Sequence, residues 1–158
     1  LLLDLPPGTG DVAISTAQLL PNAEIVVVTT PQPAAADVAV RAGTLAEQTH
    51  QKVAGVIENM SSFPCPHCGE PLDLFGFGGG AIVAETISAA LGTPVPLLGQ
   101  IPFDVALREG GDSGSPLVLS TPDAPASVAL RSIAQALGQR PRGLAGMSLG
   151  ITPARRAT

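Results

Sequence analysis

Glu24-Ile25-Val26-Val27-Val28-Thr29-Thr30-Pro31 is a β-branched run stopped by proline, and Val53-Ala54-Gly55-Val56-Ile57 is a second apolar run of strand length. Residues 34–49 between them read as one long helix. Val- and Ile-rich runs without polar alternation mark strands buried on both faces, the condition of a parallel sheet under helices. Strand, helix, strand in that order implies a right-handed crossover. Upstream, Leu1-Leu2-Leu3-Asp4-Leu5 reads as a further buried strand, Pro6-Pro7-Gly8-Thr9-Gly10 as a turn, and residues 12–20 as a helix capped by Asp11. Downstream, residues 81–91 read as a helix, residues 95–101 as a strand closed by Pro102, and residues 124–137 as the last helix. The expected fold is α/β, three layers with a parallel sheet between flanking helices. Ligands of such sheets bind beyond the carboxyl ends of the strands. Residues 4–11, 30–32, 59–80 and 102–104 all follow strands and would share one rim.

With 158 residues and 45% hydrophobic content, the chain suits a single core, expected over residues 1–138. Residues 139–158, which hold Arg140, Arg142, Arg155 and Arg156 among Pro and Gly, read as a disordered tail. The formal net charge of −5 argues against nucleic acid as a partner, since phosphate binding needs clustered Lys and Arg. No apolar stretch reaches the length of a membrane span, so a cytoplasmic protein with no membrane partner is expected. The sequence opens without Met inside an apolar run, which reads as a fragment whose amino-terminal part is missing.

The only two cysteines lie in Cys65-Pro66-His67-Cys68-Gly69, shortly before Gly76-Phe77-Gly78-Gly79-Gly80. In a reducing compartment this spacing marks metal or redox chemistry rather than a structural disulfide. Tetrahedral zinc and iron-sulfur sites usually take four ligands, so the motif is half a site. A second copy of the chain is the simplest source of the rest. His67 reads as turned away from the metal or tuning the thiolates, since adjacent residues seldom reach one metal together, and His50 as a surface residue. The glycine run reads as a flexible or tightly packed segment, and Phe63, Phe75 and Phe77 as apolar cover beside the site.

The opening loop admits two readings. Gly8-Thr9-Gly10-Asp11-Val12-Ala13 fits a dinucleotide fingerprint, but the acidic residue expected about 20 positions on is replaced by Thr29-Thr30-Pro31. Alternatively, Asp4 ends a buried strand before a glycine turn, the layout of a carboxylate serving a magnesium nucleotide; the plainer possibility is an aspartate capping a turn. The one lysine, Lys52, follows no glycine, so the chain has no Gly-Lys-Ser/Thr phosphate loop and no ATP hydrolysis is expected of it alone.

Taken in order, Asp4 to Asp11, Val28-Thr29-Thr30-Pro31-Gln32, Glu58-Asn59-Met60-Ser61, the cysteine motif and Phe75 to Gly80 resemble the Mrp/ApbC family over residues 1–137. Those proteins are iron-sulfur cluster carrier ATPases, relatives of the MinD/ParA type of P-loop NTPase with a deviant Walker A loop. The resemblance implies that Asp4 is the Walker-B-like residue near magnesium and that Gly8 belongs to the loop sensing the γ-phosphate. It further implies that Asn59 contacts the adenine base, and that Pro102 and Asp104 belong to the loop packing on it. Cys65 and Cys68 match the cluster ligands, which in this family bridge a homodimer so that two pairs complete one [4Fe-4S] cluster. The implied function is a carrier that passes a cluster to acceptor apoproteins, driven by Mg-ATP in the full-length protein. Two alternatives remain open: a structural zinc-bridged dimer, and a thiol-disulfide oxidoreductase of the Cys-Pro-His-Cys type, which requires its first cysteine at a helix amino terminus.

Overall fold

The computed structural model describes residues 1–6, 10–65 and 67–139. Gly8 and the tail from residue 140 onward, both subjects of the sequence reading, lie outside the described residues. Helix α1, Asp11–Leu19, leads into strand β1, Glu24–Thr29, and helix α2, Pro33–Gln48, returns the chain to strand β2, Lys52–Asn59. A short hairpin follows, β3 Phe63–Pro64 and β4 Pro71–Leu72; then come helix α3 Gly79–Leu91, strand β5 Leu97–Ile101 and helices α4 Val105–Ser113, α5 Leu117–Ser120 and α6 Pro125–Gly138.

The main sheet runs β1-β2-β5, with both neighbouring pairs parallel. Side chains of the central strand serve two cores: Val56 and Ile57 point to opposite faces, as successive residues do, and a register shift between Val53 and Gly55 interrupts the alternation so that Val53 and Val56 share a core. Val53 and Val56 join Val27, Val83 and Ile87 under α2 and α3. Ile57 packs with Leu98, Ile101 and Ile133 under α5 and α6. Ile87 is 1% exposed, so its burial alone is worth about 1.5–3 kcal/mol.

Two expectations require correction. Strand β1 is covered on one face only: Val27 is 3% exposed and Val28 61%, because α6 packs on β5 and leaves the far face of β1 bare. The opening Leu1-Leu2-Leu3-Asp4-Leu5 is not a buried strand; it is exposed and pairs with none of the described strands. Apolar residues make a strand only where a neighbour completes the hydrogen-bond ladder, and among the described residues this segment has no such neighbour.

Smaller differences have local causes. Gly10, in extended conformation, is the N-cap of α1, and Asp11 is its first residue instead of its cap. Strand β5 starts at Leu97 rather than at residue 95, since the Val95 N–H is taken by Ser88 Oγ at 2.9 Å and Pro96 has no N–H. The sequence reading also passed over α4, which begins where Asp104 accepts from the Ala106 and Leu107 N–H groups.

Candidate functional site

Parallel strands place all their carboxyl ends on one edge, and the loops after β1, β2 and β5 meet there. The Ser61 N–H donates to the Ile101 carbonyl at 3.0 Å, and the Phe103 N–H donates to the Ser62 carbonyl at 2.7 Å. These bonds lace the segment leaving β2 to residues 102–104. Met60, at φ 59, makes the bend that turns the chain out of the sheet. The loop after β1 lies beneath the glycine run, because a Cβ on Gly79 would stand 2.6 Å from the Pro31 carbonyl oxygen.

Cys65 and Cys68 sit at the end of the β3–β4 hairpin. Antiparallel pairing of Phe63 with Leu72 and of Pro64 with Pro71 forms its stem. Above the stem, the Cys65 N–H donates to the Glu70 carbonyl and the Gly69 N–H to the Cys65 carbonyl, both at 2.8 Å. Gly69 adopts φ +76, a conformation favouring glycine, and so closes the turn that folds Cys68 back toward Cys65. The influences on the Cys65 sulfur are the Cys68 backbone N–H first, the His67 N–H second and the Cys68 thiol third. These hold the Cys65 thiol below its ordinary pKa, against a smaller opposing effect of burial. Both cysteines are free thiols, Cys65 partly buried and Cys68 exposed.

Among the described residues no three His, Cys, Asp or Glu side chains converge on one point, so His67 does not complete a site with the two sulfurs. Two soft donors stand alone, with directed N–H groups of the kind that tune thiolate ligands. Cys65 follows a strand and opens no helix, so the helix-dipole activation needed by the oxidoreductase alternative is absent at this cysteine.

Aromatic packing fixes the hairpin to the rim. The Phe103 ring lies 5.6 Å from that of Phe63, edge to face, and 6.0 Å from that of Phe75. Phe63 and Phe75 thus provide the apolar cover expected of them, whereas Phe77 is 81% exposed and covers nothing. The glycine run is a packing device: Gly78 caps α3 in a left-handed conformation, Gly79 rests on Pro31, and a Cβ on Gly80 would come within 2.7 Å of the Glu58 Cβ.

Of the residues that the resemblance implies for a nucleotide, Asn59, Pro102 and Asp104 stand at this rim. Asn59 Oδ1 accepts from the Met60 N–H at 3.0 Å, and Asp104 is engaged as the cap of α4. Asp4 lies in the exposed opening segment, away from any described strand. The sequence reading quoted Glu58 in a motif but gave it no role; it is completely buried and accepts from the Gly80 N–H at 2.5 Å and from Gln100 Nε2 at 2.7 Å. A charged residue directly after the apolar run 53–57, 22 positions before Gly80, was the available signal.

An iron-sulfur cluster carrier protein of Mycobacterium bovis is 64% identical to the chain over 156 residues, 99% of this chain and 41% of that protein. The chain therefore spans less than half the length of this relative. A nucleotide-binding protein of Archaeoglobus fulgidus, solved in complex with ADP, is 38% identical and superposes with a TM-score of 0.55, covering 70% of this chain and 43% of that one. The septum site-determining protein MinD of Pyrococcus horikoshii, complexed with Mg-ADP, shares the fold at 22% identity and a TM-score of 0.56, over 81% of this chain and 44% of that one. Residues 1–138 match the ParA family described as NUBPL iron-transfer P-loop NTPases, and the chain belongs to that family.

Proposed function

We propose that this chain is the cysteine-bearing part of an iron-sulfur cluster carrier, in which Cys65 and Cys68 hold one side of a cluster that is cargo for acceptor apoproteins. The observation that carries this reading is the pair of free thiols at the end of a hairpin, with no third ligand among the described residues. Two ligands from each chain place a cluster at a seam between chains, where it can be released when the seam opens, as transfer requires. A second copy of the chain supplies two further thiolates and completes a [4Fe-4S] cluster at a homodimer seam.

In the whole protein, Mg-ATP binds at the rim, with Asp4 near magnesium, Gly8 in the loop at the γ-phosphate, and Asn59, Pro102 and Asp104 around the base. Hydrolysis belongs to that longer protein, since the lysine of a phosphate loop is not in this sequence. The Ser61 and Phe103 backbone bonds and the Phe103 ring contacts join the base-side loop to the hairpin, so a displacement of residues 102–104 is felt at the cysteines. Residues 1–138 act as the carrier unit in the cytoplasm, and residues 139–158 lie outside it.

The test is cluster transfer. Chain reconstituted anaerobically with ferrous iron and sulfide is mixed with an apo-ferredoxin, and the acceptor's spectrum is followed. Transfer from the wild type and none from Cys65→Ser/Cys68→Ser is expected. A folded wild type that takes up zinc but never iron and sulfide would overturn the reading in favour of a structural zinc bridge.

A further inference from the structure

We infer that Glu58 is a positioning residue that sets the cysteine hairpin on the rim and ties it to the loop at residues 102–104. This rests on the carrier reading for its functional meaning and on hydrogen bonds for its geometry. Glu58 is completely buried, yet it stands one residue before the end of β2, where a carboxylate without partners would cost several kcal/mol. Its two oxygens are divided between two elements. Oε2 accepts from the Gly80 N–H in the first turn of α3, and Oε1 accepts from Gln100 Nε2 on β5.

The position of those partners matters more than their number. The segment that carries Cys65 and Cys68 leaves the fold just after Glu58 and re-enters it at Gly79 and Gly80. One carboxylate therefore binds both feet of the hairpin segment, its own strand being one foot and the Gly80 amide the other. Gln100 lies two residues before Pro102, so the same carboxylate also holds the foot of the base-side loop. Gly80 has to be glycine for this contact, since a Cβ there would fall 2.7 Å from the Glu58 Cβ and 3.1 Å from Oε2.

Exchanging the two side-chain types separates positioning from general stability. In Glu58→Gln, only one oxygen remains for two donors, and the new NH2 group meets one of them. In the double variant Glu58→Gln/Gln100→Glu, the oxygen of residue 58 accepts from the Gly80 N–H while its NH2 donates to the carboxylate at position 100, so both links are restored with reversed polarity.

Hydrogen exchange of the metal-free chain, read at the Cys65 and Gly69 amides, is the primary measurement, and chelator-driven release of a reconstituted cluster is the second. Hydrogen bonds to a charged group predict that Glu58→Gln raises hairpin exchange about tenfold or more, speeds cluster release by a similar factor, and leaves Val27 and Val56 amides unchanged. The double variant returns both readouts toward wild type. If Glu58→Gln does not fold, Gln100→Ala, on the exposed edge of β5, cuts one arm alone and should give a smaller rise at the same amides. Unchanged hairpin exchange in Glu58→Gln and Gln100→Ala, or a double variant no better than Glu58→Gln, overturns the inference. A wild type that loads no cluster overturns the carrier reading instead, and the exchange comparison still decides the role of Glu58.

Discussion

The rings of Phe63 and Phe103 meet edge to face at 5.6 Å, joining the first strand of the cysteine hairpin to the loop that follows β5. Phe75 approaches the same ring from the far side of the hairpin at 6.0 Å. Phe103 thus contacts both limbs of the cysteine segment at the sheet's rim.

Replacing Phe103 with Ala removes both aromatic pairs, each worth about 0.5–1.5 kcal/mol beyond area burial. A loss of about 2–3 kcal/mol in urea unfolding is expected for Phe103→Ala, and less for Phe103→Leu, which keeps apolar contact. Equal losses in the two variants would show that ring geometry contributes nothing.

Glycines of the same chain should respond to alanine in opposite directions. At Gly79 the new Cβ meets the Pro31 carbonyl oxygen at 2.6 Å, and backbone cannot move aside cheaply. Overpacking of this kind costs about 1–3 kcal/mol. Gly111, inside α4, has nothing within 4 Å of its Cβ position, so Gly111→Ala should stabilise by up to about 1 kcal/mol through helix propensity. Thermal melts of the two variants side by side check the contrast.

Asp104 caps α4 through bonds of 2.8 and 3.4 Å to the Ala106 and Leu107 N–H groups. Asp104→Ala is expected to cost about 0.5–2 kcal/mol, and Asp104→Ser to recover most of it. If Asp104 also contacts bound nucleotide, Asp104→Ser in the longer protein will weaken nucleotide binding while leaving the melt near wild type.

The Cys65 thiol is held below its ordinary pKa, chiefly by the Cys68 backbone N–H. A depressed pKa means that the thiolate persists to lower pH and is lost only as pH falls through the folded value, and metal affinity is lost with it. Iodoacetamide labelling of Cys65 should therefore reach its plateau at a lower pH than labelling of a free cysteine. Cys68→Ala keeps the backbone N–H and should retain most of the displacement. A midpoint at the free-cysteine value would contradict the geometry at Cys65.

How legible the molecule was depended on whether a residue's role was local. The strand around Val53 and Val56 and the crossover through α2 could be read directly, because β-branched runs and helical periodicity are properties of neighbours in sequence. Leu1 to Leu5 has the same apolar signature but pairs with no strand among the described residues, and a ladder is not written in one segment. Helix α4 contains Gly110 and Gly111 and little apolar periodicity, and only its cap, Asp104, marked its start. Two-residue strands with a proline in each, as in β3 and β4, lie below what a period of two can reveal. The cysteine pair was evident from its spacing, while the Glu58 contacts to Gly80 and Gln100 span 22 and 42 residues and emerge only from the fold.

Anaerobic native mass spectrometry of the reconstituted chain tests the central claim most directly. The account predicts a dimer carrying one four-iron, four-sulfide cluster, and only apo monomer when Cys65 and Cys68 are both replaced by Ser. A cluster bound stably within a single chain, or a dimer bridged by zinc with no sulfide, would contradict it.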